Sequence, residues 1–235
     1  MNYVFGDIHN ELAKLQDILQ QIHLSEEDHL FFLGDLFDRG GANADPVGVY
    51  FEYVKYHNQA TWIRGNHDQW LAQYIEHYYA LPSRRRKKAE PYQYNSFELL
   101  TQRLPEADIL HMAEEIKTLP LQTEVEVNGI RYCMAHAMTT NPMKPSISFE
   151  EHLMGNLEMG SFFEKGVEGY VSLCGHTPTA NVMYPKDGRY LDPDENSIWV
   201  NHKENVYLLD CGCGFGTGRL GCLCLETGER FYSAK

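Results

Sequence analysis

The stretch Gly34-Asp35-Leu36-Phe37-Asp38-Arg39 directly follows the apolar run Leu30-Phe31-Phe32-Leu33, and this arrangement recurs twice in the chain. Tyr3-Val4-Phe5 precedes Gly6-Asp7-Ile8-His9, and Ala60-Thr61-Trp62-Ile63 is followed closely by Gly65-Asn66-His67-Asp68. Each apolar run is short and contains β-branched or aromatic residues. The pattern predicts three buried strands, each ending in a polar segment.

Residues 11–22 and 46–57, which separate these strands, carry apolar residues at helical spacing. The order strand, helix, strand, helix, strand predicts parallel strands joined by right-handed crossovers. In such sheets the reactive groups gather just beyond the carboxyl ends of the strands. We therefore expect the three polar segments to lie close together in space.

The polar segments contain side chains that can hold metal ions. Asp7 and His9 are two residues apart, so on a locally extended chain both would point to one side and chelate one ion. Asp35 can bridge to a second ion, because a carboxylate has two oxygens with lone pairs. Asn66 offers an amide oxygen to that second ion.

Two further histidines complete this predicted set of ligands. His136 follows the strand-like residues 130–135, and His176 follows the strand-like residues 170–175. A shell that mixes nitrogen and oxygen suits manganese, iron or zinc better than magnesium or calcium. Two such divalent ions can clamp a phosphoryl group during in-line displacement, which predicts a phosphoester hydrolase.

In their order, the polar segments resemble the motifs of the phosphoprotein phosphatase branch of the calcineurin-like metallophosphoesterases. The family's GDxHG motif appears as residues 6–10, GDxxDRG as residues 34–40, GNH[ED] as residues 65–68, and the later histidine motifs around His136 and His176. Residues 210–214 resemble the family's closing strands. Five motifs in order are far more specific than any one of them. The chain is similar to bacterial serine/threonine protein phosphatases and symmetrical diadenosine tetraphosphatases.

The resemblance implies a role for each residue of the site. Asp7, His9 and Asp35 would hold the first metal, and Asp35, Asn66, His136 and His176 the second. His67 would protonate the leaving oxygen, while Asp38 orients its imidazole. Arg39 would bind the phosphate through its planar, bidentate guanidinium, which makes lysine a poor replacement.

We expect an α/β fold of the metallophosphoesterase type, an αβ sandwich with two mixed β-sheets flanked by helices. Residues 1–235 would form one domain, with a helical, cap-like insertion around residues 69–120. No family motif is recognisable between Asp68 and Leu121, and substrate choice in such enzymes depends on this region.

The sequence departs from the family pattern at two further places. Asn10 stands where the first motif usually has glycine, which matters little unless the backbone there needs a positive φ. Residues 137–175 contain no arginine, although the branch usually carries a second phosphate-binding arginine in this region. Lys144 or Lys165 could replace it as a point charge.

The net charge and the length of the apolar runs argue against some classes of binding partner. The net charge of −13 disfavours nonspecific binding to nucleic acid, and no apolar run is long enough to span a membrane. The N-terminus enters the first strand without a signal-like segment. These features predict a cytoplasmic enzyme that binds neither nucleic acid nor a membrane.

The cysteine pairs, the basic run and a group of aromatic residues are interpreted as structural features. The pairs Cys211/Cys213 and Cys222/Cys224 are expected to be reduced core thiols on strands, rather than a zinc or disulfide site. The basic run 83–88 is interpreted as a solvated segment, with contact to an anionic substrate as the alternative. The aromatic residues at helical spacing after the third motif are expected to pack in the core, and they are Trp70, Tyr74, Tyr78 and Tyr79.

Three functions are compatible with this sequence. The leading hypothesis is a metal-dependent phosphomonoesterase of the serine/threonine protein phosphatase type, acting on a phosphorylated protein or a small phosphate ester. A symmetrical dinucleoside polyphosphate hydrolase is the alternative. A degenerate metal-binding scaffold for protein interaction is disfavoured, because the expected ligands and the acid are all present.

Overall fold

A computed structural model of the protein describes residues 1–182 and 188–235. It contains two mixed β-sheets flanked by helices, so the predicted α/β fold is confirmed. None of the helices in these two ranges is both long and apolar enough to cross a membrane.

The first sheet contains the three strands predicted from the opening motifs. Its order is β11-β10-β1-β2-β3, formed by β1 (Asn2–Phe5), β2 (His29–Phe32), β3 (Ala60–Trp62), β10 (Gly221–Cys224) and β11 (Arg230–Tyr232). β1, β2 and β3 are parallel, as predicted, whereas β10 and β11 add antiparallel pairs. The motif segments therefore leave neighbouring strands at the same edge of the sheet.

The second sheet carries the two later histidines. Its order is β4-β5-β6-β9-β8-β7, formed by β4 (Gln122–Val127), β5 (Ile130–Ala135), β6 (Val171–Cys174), β7 (Gly188–Tyr190), β8 (Trp199–Asn201) and β9 (Val206–Leu208). β5, β6 and β9 are parallel. His136 and His176 follow the carboxyl ends of β5 and β6.

Helices cover the outer faces of the sheets. They are α1 (Leu12–Ile22), α2 (Pro46–Lys55), α3 (Asn66–Ala80), α4 (Ser83–Arg86), α5 (Ser96–Thr101), α6 (Glu106–Thr118), α7 (Phe149–Met154) and α8 (Met159–Lys165). α2 begins at Pro46 because Asp45 caps it, accepting a hydrogen bond from the Gly48 amide at 2.8 Å. It ends two residues before the predicted boundary, where a short 3₁₀ turn begins at His57.

Alternating strand residues supply separate layers of the core. Phe5 and Phe32 pack with α1, α2, α3 and α6, whereas Val4 and Phe31 face the residues of the second sheet. This separation follows from the two-residue period of a strand. A third cluster covers the outer face of the second sheet around Trp199.

Of the two cysteine pairs predicted to lie on strands, only one does so. All six cysteines are buried and unpaired, so their expected position in the core is confirmed. Cys222 and Cys224 lie on β10, but Cys211 and Cys213 lie in a loop after β9, so their assignment to a strand is wrong. Gly212 has a φ of +79° between them, and the two thiols enter different core clusters.

Candidate active site

The predicted metal ligands converge where the carboxyl ends of the two sheets meet. Ligand atoms of Asp7, Asp35 and His136 lie within 4.8 Å of one another. His9, Asn66 and His176 join them, and we call these six residues the ligand cluster.

Distances within the ligand cluster centre on two oxygen atoms. Asp35 Oδ2 lies 3.8 Å from His9 Nε2 and 3.4 Å from His136 Nε2. Asn66 Oδ1 lies 2.9 Å from His136 Nε2 and 2.9 Å from His176 Nδ1. Asp35 is therefore near histidines from both predicted halves of the site.

Backbone carbonyls orient two of the histidines. His9 Nδ1 donates to the Phe37 carbonyl at 2.9 Å, and His136 Nδ1 donates to the Leu33 carbonyl at 2.8 Å. Each bond engages Nδ1, so that Nε2 is the ring nitrogen that faces Asp35 Oδ2. This is the supporting arrangement usual for metal-binding histidines.

The backbone after β1 is not extended, so the geometry expected for Asp7 and His9 is wrong. His9 and Asn10 have φ values of +51° and +63°. Asparagine tolerates this region better than most residues, so Asn10 can stand where the family usually has glycine. His9 Nε2 nevertheless lies 3.8 Å from Asp7 Oδ2.

Several other residues of the site share this uncommon backbone conformation. Positive φ values also occur at Asp35, Asp38, Arg39 and His176. Each costs about 1–3 kcal/mol and persists only where the surrounding structure imposes it, and such strain is concentrated at functional sites. Two motif glycines allow the close packing: a Cβ at Gly65 would lie 2.2 Å from Asp35 Oδ1, and one at Gly175 would lie 2.1 Å from Asp7 Oδ1.

Burial of like charges determines the electrostatics of the ligand cluster. Burial, reinforced by the charge of Asp210, raises the pKa of Asp7 well above its ordinary value. Burial also raises the pKa of Asp210 to about 6. Asp210 Oδ2 is buried and has no hydrogen-bond partner among the described residues. Sequence analysis did not identify Asp210 as a member of the site.

The three histidines of the ligand cluster differ in their charge. Burial lowers the pKa of His9 to about 3 and that of His176 to about 4, so both are neutral bases. Burial acts in the same direction on His136, but the carboxylates of Asp35 and Asp7 outweigh it and raise its pKa to about 10. A proton on His136 thus compensates the negative charge of the two carboxylates, and a bound metal cation could compensate it instead.

The ligand cluster fits divalent metal ions. Neutral imidazoles, carboxylates and an amide oxygen form a mixed nitrogen and oxygen donor set. The carboxylates of Asp7 and Asp35 are at most 2% exposed, and buried charges require compensation. The buried Asp210 oxygen that lacks a hydrogen-bond partner adds further negative charge that a cation could compensate.

A histidine and aspartate pair adjoins the ligand cluster. His67 Nδ1 donates to Asp38 Oδ2 at 3.0 Å, and the His67 and His9 rings are 5.0 Å apart. Tyr92 Oη donates to the same Asp38 oxygen at 2.6 Å. Sequence analysis found His67 and Asp38 but missed Tyr92, because Tyr92 is 54 residues from Asp38 and belongs to no recognised motif.

The segment after Tyr92 holds the loop that carries Asp38 and Arg39. The Asp38 amide donates to Ser96 Oγ at 2.7 Å, and Asn95 Nδ2 donates to the Arg39 carbonyl at 2.6 Å. Asn10 Nδ2 also donates to Ser96 Oγ, at 3.0 Å. The region without a family motif therefore fixes the backbone of the second motif.

Asp68, the last residue of the third motif, supports the site through its buried carboxylate. It accepts hydrogen bonds from the Asp35 amide at 2.9 Å, the Leu36 amide at 3.0 Å and the Trp62 indole at 3.1 Å. Burial, with repulsion from Asp35, raises its pKa to about 6. The third motif includes Asp68, but its sequence position alone does not indicate this supporting role.

Arg39 brings a guanidinium into contact with the ligand cluster. Its guanidinium donates to His9 Nε2 at 3.2 Å and lies 4.7 Å from the centre of the Phe215 ring. No hydrogen bond or ion pair in the described ranges links Lys144 or Lys165 to the ligand cluster. The structure therefore does not bring either proposed substitute for the missing arginine into contact with it.

The basic run lies far from the ligand cluster. α3 separates Asn66 from this run by about 20 Å, at 1.5 Å per residue. Arg86 donates to the carbonyls of Tyr79 and Leu81 and pairs with Glu106, so it stabilises the end of α3. Arg84 and Arg85 line a hollow together with Leu81, Lys88 and Ala89.

A metal-dependent hydrolase is the class of protein that this fold and ligand cluster define. The sequence comparison narrows that class: the chain belongs to the calcineurin-like phosphoesterase family, whose model matches residues 3–207. A search of curated proteins found no match. The family predicted from the motifs, and with it a metal-dependent phosphatase activity, is thereby confirmed.

Solved structures show the same fold at low sequence identity. A candidate diadenosine tetraphosphatase superposes with a TM-score of 0.63 at 20% identity, covering 98% of this chain and 91% of its own. A Saccharomyces cerevisiae serine/threonine phosphatase with similarity to human PP5 has a TM-score of 0.56 at 14% identity, covering 100% and 80%. A Sphaerobacter thermophilus metallophosphoesterase has a TM-score of 0.54 at 14% identity, covering 100% and 88%.

Proposed function

We propose that this protein hydrolyses phosphate monoesters with two divalent metal ions, as a phosphatase of the serine/threonine type. The observation that carries the proposal is the buried ligand cluster beside the His67 and Asp38 pair. Asp7, His9 and Asp35 would hold one ion, and Asp35, Asn66, His136 and His176 the other. When bound, the ions would supply electrophilic polarisation of the phosphoryl group.

His67 is the proposed general acid. Its Nδ1 is engaged by Asp38, so its Nε2 is the nitrogen available to donate a proton to the leaving oxygen. Tyr92 and Asp38 hold the ring in position. His67 is 1% exposed and Asp38 is fully buried, so little water competes for these bonds.

Arg39 is the proposed phosphate-binding residue. It is half-buried at the mouth of the ligand cluster, where its fork of N–H donors can bind two phosphoryl oxygens. Packing of its guanidinium on Phe215 limits its motion. Lysine would lack both the fork and the flat stacking surface.

Hydrolysis of a dinucleoside polyphosphate is a second candidate, and one observation favours it. A cleft lined by aromatic side chains shares Trp70 and Tyr92 with the surroundings of His67 and Asp38. The similarity to a candidate diadenosine tetraphosphatase indicates that the chain has the fold of such an enzyme. The substrate has to be determined by experiment.

Metal analysis and turnover test the proposal together. Purified protein should contain close to two divalent ions per chain, and manganese is expected to restore hydrolysis of p-nitrophenyl phosphate after chelation better than magnesium. Bound metal without turnover would favour the scaffold hypothesis, and absence of both metal and turnover would contradict both hypotheses. A panel of phosphoserine and phosphothreonine peptides, compared with diadenosine tetraphosphate, separates the two candidate substrates.

We also propose a cytoplasmic location. The six buried free thiols support a reducing compartment, where disulfides are rare.

A further inference from the structure

The cleft beside the acid is an aromatic surface that hydrolysis of a simple monoester does not require. It lies between α3 and residues 89–93 and has a volume of about 450 Å³, within the range of small-molecule sites. We call it the aromatic cleft. The half-buried rings of Trp70, Tyr74, Tyr78 and Tyr92 line it.

The position of the aromatic cleft relates it to the leaving group. His67 would protonate the leaving oxygen, so the leaving group must lie on the His67 side of the scissile bond. Trp70 packs 5.0 Å from His67 between ring centres, and Tyr92 donates to Asp38. Both residues also line the cleft, so its near end adjoins the proton donor.

The rim of the aromatic cleft is polar without being basic. Gln73, His77, Glu90 and Gln93 line it and are exposed, and among its described lining residues there is no lysine or arginine. Arg84, Arg85 and Lys88 line the adjoining hollow, which shares Leu81 and Ala89 with the cleft. Glutamine amides offer both donors and acceptors, and a carboxylate accepts. Such a site suits a neutral planar ring with polar edges better than an additional phosphate.

We propose that the aromatic cleft binds the nucleobase of the substrate's leaving group. The cleft extends along α3 from Trp70 to Leu81, away from His67, so its ring needs a spacer such as a sugar between it and the phosphate. A phosphotyrosine ring carries the scissile oxygen directly and would have to lie against His67 itself. The proposal rests on the proposed metal-dependent hydrolysis of phosphate esters, and it assigns a nucleoside as the leaving group in place of a phosphorylated protein side chain.

Adenosine tests binding without turnover, because it carries no phosphate. In the full chain loaded with manganese, adenosine should quench tryptophan fluorescence saturably and ribose should not. Trp70 is the reporter, since Trp62 and Trp199 are at most 1% exposed. Ala89→Phe fills the cleft and should raise the Kd for adenosine about tenfold, in keeping with the strength of base stacking. Ala80→Phe, exposed on α3 outside the cleft, is the matched control and should leave the Kd unchanged.

Paired substrates extend the test to catalysis. AMP and ribose 5-phosphate are both primary alkyl monoesters and differ by the base. Wild-type enzyme should show a higher kcat/KM for AMP, and Ala89→Phe should abolish that preference while hydrolysis of ribose 5-phosphate stays unchanged. Tyr78→Leu, which removes one ring, should weaken adenosine binding if Ala89→Phe does not fold.

Three results would overturn the nucleobase assignment: no saturable quenching by adenosine, an unchanged Kd in both cleft variants, or a preference for phosphotyrosine without a response to adenosine. Each can occur while metal-dependent hydrolysis of ribose 5-phosphate persists. If the wild-type enzyme with bound metal hydrolysed no phosphate ester, the proposed function would be wrong. The adenosine titration would still show whether the aromatic cleft binds a nucleobase.

Discussion

The ligand cluster and the aromatic cleft differ in burial and in how their residues are distributed along the chain. In the ligand cluster, Asp7, Asp35 and His136 are at most 2% exposed, and glycines and positive φ values permit their close approach. The aromatic cleft is half-buried, and its floor belongs partly to one helix and partly to residues 89–93. The comparison indicates that the predicted ligands come from short motifs, whereas the aromatic cleft depends on how a long segment folds back onto α3.

Asp35→Asn should have the largest effect of any single substitution. It removes the anionic oxygen that lies near both His9 and His136. We expect loss of both metals and a fall in kcat beyond the 10–100-fold typical of losing a supporting residue. Metal content measured with activity checks this, and exposed Asp108→Asn is the control. Full two-metal content in Asp35→Asn would contradict a shared ligand.

His67→Ala should produce the next largest effect and should depend on the substrate. A general acid contributes about 10²–10⁴-fold, and most where the leaving group is poor without a proton. Hydrolysis of phosphoserine should therefore fall far more than that of p-nitrophenyl phosphate. Exposed His111→Ala should alter neither rate. Equal losses on both substrates would count against proton donation by His67.

Tyr92→Phe tests the link between the two regions. It removes a hydrogen bond to the Asp38 carboxylate, a type of bond worth about 1.5–3 kcal/mol, so kcat for phosphoserine should fall about tenfold or more. Tyr50→Phe is a matched control, because Tyr50 Oη also donates to a carboxylate at 2.6 Å, that of Glu115. An equal loss in both variants would indicate a general effect on stability.

Neutralising Arg84 and Arg85 should have the smallest effect. Arg86 is kept because it stabilises the end of α3. These charges lie about 20 Å along α3 from Asn66, and the Debye length is about 10 Å at 0.1 M salt. The double Gln variant should raise KM for diadenosine tetraphosphate modestly, only at low salt, and leave p-nitrophenyl phosphate unaffected. An unchanged KM at low salt would identify the run as a solvated segment.

Local sequence pattern was enough to predict the strands that carry the motifs. β1, β2 and β3 follow the predicted apolar runs, since short apolar or β-branched runs bounded by glycine have few alternatives. Local pattern was insufficient at Cys211 and Cys213, where the alternation suggested a strand. The turn at Gly212 is decided by packing of the two thiols into different clusters.

The sequence by itself determined the family, the α/β fold and the residues that converge in the ligand cluster. It could do so because each of these side chains follows a strand, and parallel strands bring their carboxyl ends together. Only the tertiary structure decided that Tyr92, Asn95 and Ser96 hold the Asp38 loop and that Asp210 adds a buried charge. These contacts join segments separated by dozens of residues, and no local periodicity encodes such pairs.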